Sequence, residues 1–247
     1  MFVYSREIIR FVHEIKVVIK NIFTKEIRLK CTGNRFYDRS ERYSYPINVV
    51  IYNNKSMLGY FESEFYELGF HERLMRCSKD LLYDIIRHEL AHYMTFVNHG
   101  HTVQPHSAEF KEFCKKMGWG ERVYQATIQL DSEQTLADAE EGAVLRKVKK
   151  LMALTASSDK NEAELAMIKS QQLLLKYNLD SRWTGVEEEK VFMKRIMNQK
   201  RETAKMRAIA EILKTFFVSI VYHRGSKGTY LEILGSAVNL EIAEHVA

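Results

Sequence analysis

His88-Glu89-Leu90-Ala91-His92 sets two imidazoles four residues apart with a carboxylate beside the first. On a helix, residues at that spacing stand one above the other, so both rings can reach one metal ion at the roughly 2.0–2.1 Å of a zinc–nitrogen bond. Glu89 then projects beside the ion instead of onto it. There it can take a proton from a metal-bound water, whose pKa the cation lowers toward about 7. That is a hydrolytic arrangement. Two imidazoles and a carboxylate facing an enclosed core would be costly to bury without a metal, so a metal site is the expectation.

A catalytic zinc takes three protein ligands and leaves a fourth position open. The longer zincin spacing would need a third histidine six residues after His92, and Asn98 stands there, which excludes that class. A downstream carboxylate could serve instead, with Glu109 and Glu112 as candidates. Three histidines also follow: His99, His101 and His106. His99 and His101 flank the helix-ending Gly100, roughly 10 Å or more along the axis from His92, and read as exposed loop residues. His106 comes after a turn long enough to fold back.

The element that must carry these residues is the strongest helix of the chain. Ser78 offers an N-cap with Asp80 in the first turn, and Leu81, Leu82, Ile85, Ile86, Leu90, Tyr93, Phe96 and Val97 keep helical spacing until Gly100. A second helix opens near Ser107, carries Phe110, Phe113, Cys114 and Met117 inward, and stops at Gly118. Upstream, residues 6–23 form an amphipathic helix through Ile8, Val12, Ile15, Ile19 and Ile22. Residues 26–31 and 47–52 read as strands, 58–61 and 66–70 as two shorter ones, and 33–45 as a loop. The expectation is helices plus a small sheet of three or four strands.

Residues 131–141 hold five acids and no Lys or Arg, which marks a solvated linker. Beyond it, helices are expected at about 143–154 and at 162–177, the latter capped by Asn161 and stopped by Asn178 in the left-handed conformation. A charged stretch at 187–207 leads to a helix over 204–218. Val218–Tyr222 and Thr229–Leu234 then form a hairpin around Gly225-Ser226-Lys227-Gly228. Residues 238–247 read as a helix without a stop signal, so the chain is expected to continue beyond them.

Composition narrows the function further. Of 247 residues, 46% are hydrophobic and 28% charged, with only 2 prolines, which excludes a disordered or fibrous chain. No apolar stretch reaches the roughly 18 residues of a membrane span. Arg6 and Glu7 would interrupt a signal peptide, so secretion is not expected. Cys31, Cys77 and Cys114 form no C-x-x-C pair, which fits neither a disulfide framework nor a zinc ribbon and points to the reducing cytoplasm. Net charge is +6 over residues 1–60, −7 over 61–141, +4 over 142–182 and +2 over 183–247. Basic flanks around an acidic centre allow contact with a polyanion only at the edges. There is no G-x-x-x-x-G-K loop and no G-x-S-x-G elbow, which disfavours nucleotide and serine-nucleophile chemistry. His13, His71, His223 and His245 are isolated, and Trp119 and Trp183 read first as core or interface anchors.

The run His88-Glu-Leu-Ala-His92 and, with thirteen residues between His92 and His106, the run Pro105-His106-Ser107-x-x-Phe110 resemble the SprT-like (Spartan-related) zinc metallopeptidases. The resemblance covers about residues 5–118, including Leu58-Gly59-Tyr60. It implies a minimal zincin-like α+β domain, His88, His92 and His106 as zinc ligands, Glu89 as base, and substrates among proteins crosslinked to DNA. Ser107 stands where the family has glycine, and the C-terminal zinc ribbon of many bacterial members has no counterpart. Leu145-Arg-Lys-Val-Lys-Lys-Leu-Met-Ala-Leu154, with Ser157, Asn161-Glu-Ala163 and Lys176-Tyr-Asn-Leu179, is similar to the domain of unknown function twenty-seven eighty-six, a helical module. Arg146, Lys149 and Lys150 share one face of its first helix, opposite Val144, Val148 and Leu151. That face would suit a phosphate backbone, although a solvated surface is the first reading of such a charge run.

The expected organisation is a SprT-like peptidase domain over 1–130, an acidic linker over 131–142, a helical-hairpin domain over 143–182 and a small α/β part over 183–247. The expected function is a DNA-repair type of zinc metallopeptidase acting on nucleic-acid-associated proteins. The alternative is a nucleic-acid-binding or adaptor protein whose zinc is structural.

Overall fold

β1 (Phe2–Tyr4) leads into α1 (Arg6–Asn21), where Ser5 Oγ accepts from the Ile8 N–H at 3.2 Å and Glu7 favours the positive helix end. A computed structural model of the chain describes residues 1–53, 57–100, 104–124, 146–148, 150–151, 160–183, 190–225 and 228–247. Contacts divide it into two units, Met1–Asp131 and Ser132–Ala247.

Ile8, Phe11, Ile15 and Ile19 bury one stripe of α1. The helix then widens into a π-helical turn, Ile22–Ile27, closed by Arg28 at φ 62° with the Leu29 N–H bonded to the Phe23 carbonyl at 2.8 Å. The strand expected over 26–31 is therefore corrected. Its alternating apolar residues bury from a widened helical turn, with Ile22, Phe23 and Ile27 all inside.

The expected loop over 33–45 is also corrected. It folds as a small antiparallel sheet of β2 (Cys31–Thr32), β3 (Arg35–Tyr37) and β4 (Ser44–Pro46). Thr32 pairs with Arg35 across a two-residue turn whose first residue, Gly33, has φ 58°, the positive value a tight hairpin requires. The buried Phe36 ring stacks on Phe23 at 4.1 Å, which seats this sheet on the end of α1.

The main strands of the first unit lie in the order β6-β7-β5-β1. They comprise β5 (Asn48–Tyr52), β6 (Gly59–Glu62) and β7 (Glu67–His71), with β5 parallel to β7 and β6 antiparallel to β7. Among the described residues β6 ends the order. The seven strands among the described residues of this unit exceed the three or four expected. The excess comes from β1 and the three short strands, each too brief to show alternation.

In the second unit, β8 (Val191–Gln199) pairs antiparallel with β10 (Gly228–Gly235), which pairs with β9 (Ser219–Gly225). β8 falls where only a charged stretch was expected. Its Arg195 meets the buried Glu232 of β10 at 2.9 Å, so a charge pair hides the strand's pattern. α5 (Lys160–Trp183) runs past the expected stop at Asn178. That side chain instead exchanges two amide hydrogen bonds with Asn239 of α7 (Ala237–Val246), at 2.8 and 3.1 Å. Between them, α6 (Ala204–Lys214) ends four residues earlier than expected. Residues 146–148 and 150–151 are helical; the acidic linker, most of the first expected hairpin helix and the turn at Ser226-Lys227 lie outside the described residues. No described helix is long and apolar enough to cross a membrane.

Candidate metal centre

α2 (Lys79–His99) begins at Ser78, whose Oγ accepts from the Leu81 N–H at 3.3 Å. It ends at Gly100, φ 76°, whose N–H returns to the Phe96 carbonyl. Ile85, Ile86, Leu90 and Tyr93 are buried, and this packing fixes the rotation of the helix about its axis. His88, Glu89 and His92 are thereby turned toward a cleft bounded by β6.

The third member arrives from the next helix. α3 (Ala108–Lys116) is capped by Ser107, whose Oγ accepts from the Phe110 N–H at 3.4 Å. The residue before the cap, His106, has φ 58°. A non-glycine residue rarely adopts this conformation, and here it turns the imidazole back over α2. The Nε2 atoms of His88, His92 and His106 then form a near-equilateral triangle with sides of 3.1, 3.2 and 3.0 Å. Phe110, 1% exposed, places its ring 4.5 to 5.2 Å from all three imidazoles and forms a rigid apolar backing.

Protonation states follow from the surroundings. Burial, and then the mutual repulsion of the other two rings, pushes His92 down to about 3. Burial also lowers His88, opposed by a hydrogen bond to the Val123 carbonyl and aided by His106. His106 is lowered by burial and by Lys111. All three rings are therefore held neutral, the form that binds metal. His88 Nδ1 faces the carbonyl of Val123 on α4 (Glu121–Tyr124), so the ring carries its proton there and offers the Nε2 lone pair to the centre. Three neutral nitrogens about 3 Å apart cannot all satisfy one another by hydrogen bonds, but each can reach a single ion at roughly 2.0–2.1 Å. The donor set fits zinc.

Glu89 is 5% exposed, and burial raises its carboxyl to about 8. Gly59 at the start of β6 faces it so closely that a β-carbon there would lie 2.5 Å from Oε1. Tyr52, whose hydroxyl donates to the Met57 carbonyl at 2.7 Å, feels the same carboxylate. The cleft has a volume of about 370 Å³, with Met57, Tyr60, Phe61 and Phe96 on its walls and the triad at its base.

Among the candidates left open by spacing, His106 joins the pair. Glu109 instead accepts a hydrogen bond from Ser107 and Glu112 is exposed, so neither enters the group. His99 is exposed at the end of α2, and His101 lies outside the described residues. Arg146 and Lys150 are exposed beside the buried Val148, while Lys149 and the Trp183 side chain lie outside the described set. Trp119 is buried, as a core anchor should be. Sequence reasoning missed the Val123 carbonyl, which no side-chain pattern reveals. It also missed the role of Gly59, although a lone glycine within a strand is a signal of close approach.

Neither the curated proteins nor the solved structures compared with the chain give a match. The family models do: residues 23–130 match the model of the SprT-like family and, after them in the chain, residues 143–181 match that of the protein of unknown function (DUF2786).

Proposed function

We propose that this chain is a zinc-dependent metallopeptidase acting on nucleic-acid-associated proteins. The observation that carries the reading is the convergence of three neutral Nε2 atoms at the base of an open cleft with a buried carboxylate next to the first of them. When bound, zinc would supply Lewis acidity, acidifying a water molecule and polarising the scissile carbonyl. His88, His92 and His106 hold it, and Phe110 keeps their rings from turning. Glu89, in a dry setting, takes the proton of the attacking water on a carboxylate oxygen and returns it to the departing amine. Its position beside Gly59 leaves one principal place for that oxygen. β6 stands last in the strand order beside the cleft, where an extended substrate can add as a further strand, with Phe61 and Phe96 flanking it.

The nucleic-acid part rests on the SprT-like match and on the basic residues after it. In this reading residues 1–130 cut, and the exposed Arg146 and Lys150, with Lys149, contact phosphates from the domain over 143–182. The test is cleavage of a DNA-binding protein, offered with and without DNA, by the parent and by Glu89→Gln at equal zinc content. The parent should cut, faster with DNA present, and the variant should lose about 10²–10⁴-fold. Equal cutting by both would remove Glu89 from the reaction. DNA binding that persists without any proteolysis would favour an adaptor with a structural zinc.

A further inference from the structure

Glu26 lies 62 residues before His88 in sequence, in the π-helical turn that ends α1, yet it reaches both arms of the metal site's support. Its two carboxylate oxygens accept from Arg87 Nη2 at 2.9 Å and Nε at 3.0 Å, a two-pronged pair to the residue just before His88. Oε2 also accepts from the Trp119 indole N–H at 2.8 Å. Trp119 is buried against Phe113, and four residues later comes Val123, whose carbonyl fixes the tautomer of His88. One carboxylate thus ties the segment carrying the first histidine to the segment carrying its hydrogen-bond partner. The widened turn has a reason in this: six residues over Ile22–Ile27 bury Ile22, Phe23 and Ile27 while leaving Glu26 outside the core and aimed at Arg87.

We propose that Glu26 is a positioning residue of the metal centre, holding Arg87 and Trp119 so that the Val123 carbonyl stays on His88 Nδ1 and the His88 lone pair stays on the ion. The inference rests on the three histidines holding zinc, and not on what the enzyme cuts. Groups that orient a ligand from behind typically change metal affinity by about 10–100-fold when lost.

The experiment uses the full chain as parent, Glu26→Ala, Glu26→Gln and Trp119→Phe, with the α1 core substitution Phe11→Leu as a control for stability alone. Zinc affinity is measured by competition with a chromophoric chelator, ligand geometry by the visible spectrum of the cobalt(II) form, and Tm on the metal-free proteins. Glu26→Ala should weaken zinc by about 10–100-fold and alter the cobalt spectrum. Glu26→Gln should recover part of the affinity, because its amide oxygen can still accept from Trp119. Trp119→Phe keeps the ring and loses only the N–H, so it should shift affinity in the same direction even if Glu26→Ala does not fold. Phe11→Leu should lower Tm and leave both metal readouts unchanged. Zinc affinity within about twofold of the parent in the Glu26 and Trp119 variants, with Tm falling as in Phe11→Leu, would overturn the proposal and leave the peptidase reading standing. A parent that takes up no zinc would overturn both.

Discussion

Gly59 and Glu89 approach so closely that a β-carbon on the glycine would lie 2.5 Å from Oε1 and 2.9 Å from Cγ of the glutamate. No side chain fits between strand and helix there. Gly59→Ala should push the carboxylate aside while leaving the histidines in place, so zinc content should hold and kcat should fall on the order of 10²-fold. Steady-state kinetics with metal analysis on the same sample checks this; unchanged kcat would mean that the carboxylate's place is not critical.

The metal-free protein should show Glu89 in its pH–stability profile. Its folded pKa is about 8, above the ordinary 4.5, so between those values the folded chain binds a proton that the unfolded chain has lost. Stability from this group is therefore complete below about 4.5, falls as pH rises through the window and is level above about 8. His92 acts in the opposite sense: lowered from 6.5 to about 3, it costs stability as pH falls through that range. Glu89→Gln removes only the first effect. The Tm advantage of the chelated variant over the chelated parent should grow with pH across the Glu89 window, and parallel Tm curves would contradict the buried setting.

Phe110 backs all three imidazoles and is almost wholly enclosed. Phe110→Ala should cost about 3–5 kcal/mol by urea denaturation and weaken zinc binding as well, since the rings lose their stop. Phe110→Leu should restore most of the stability.

Much of the candidate site's geometry was legible because His88, Glu89 and His92 share one strongly patterned helix, so their spacing alone brings them together. His106 stood out less, since a connection of thirteen residues has no period and its left-handed backbone has no sequence mark. The strong helices α2 and α3 matched expectation to within a residue or so at their capped ends. The π-helical turn did not, because Ile27 and Leu29 alternate like a strand while the turn buries Ile22, Phe23 and Ile27 together. β8 was hidden by Lys194 and Arg195, whose charges are answered by Glu244 and Glu232 from distant parts of the chain. Such pairings are invisible until the chain has folded.

Zinc uptake should separate the histidines by place rather than by type. His88→Ala, His92→Ala and His106→Ala should each abolish stoichiometric binding, whereas His99→Ala, at the exposed end of α2, should bind as the parent does. Loss of binding in His99→Ala would mean that the triad is not the complete ligand set.

X-ray absorption at the zinc edge of the loaded protein addresses the open coordination position most directly. Three imidazole nitrogens and one solvent oxygen are expected, all at roughly 2.0–2.1 Å. A fourth protein ligand or a sulfur at about 2.3 Å would make the zinc structural and contradict the hydrolytic role.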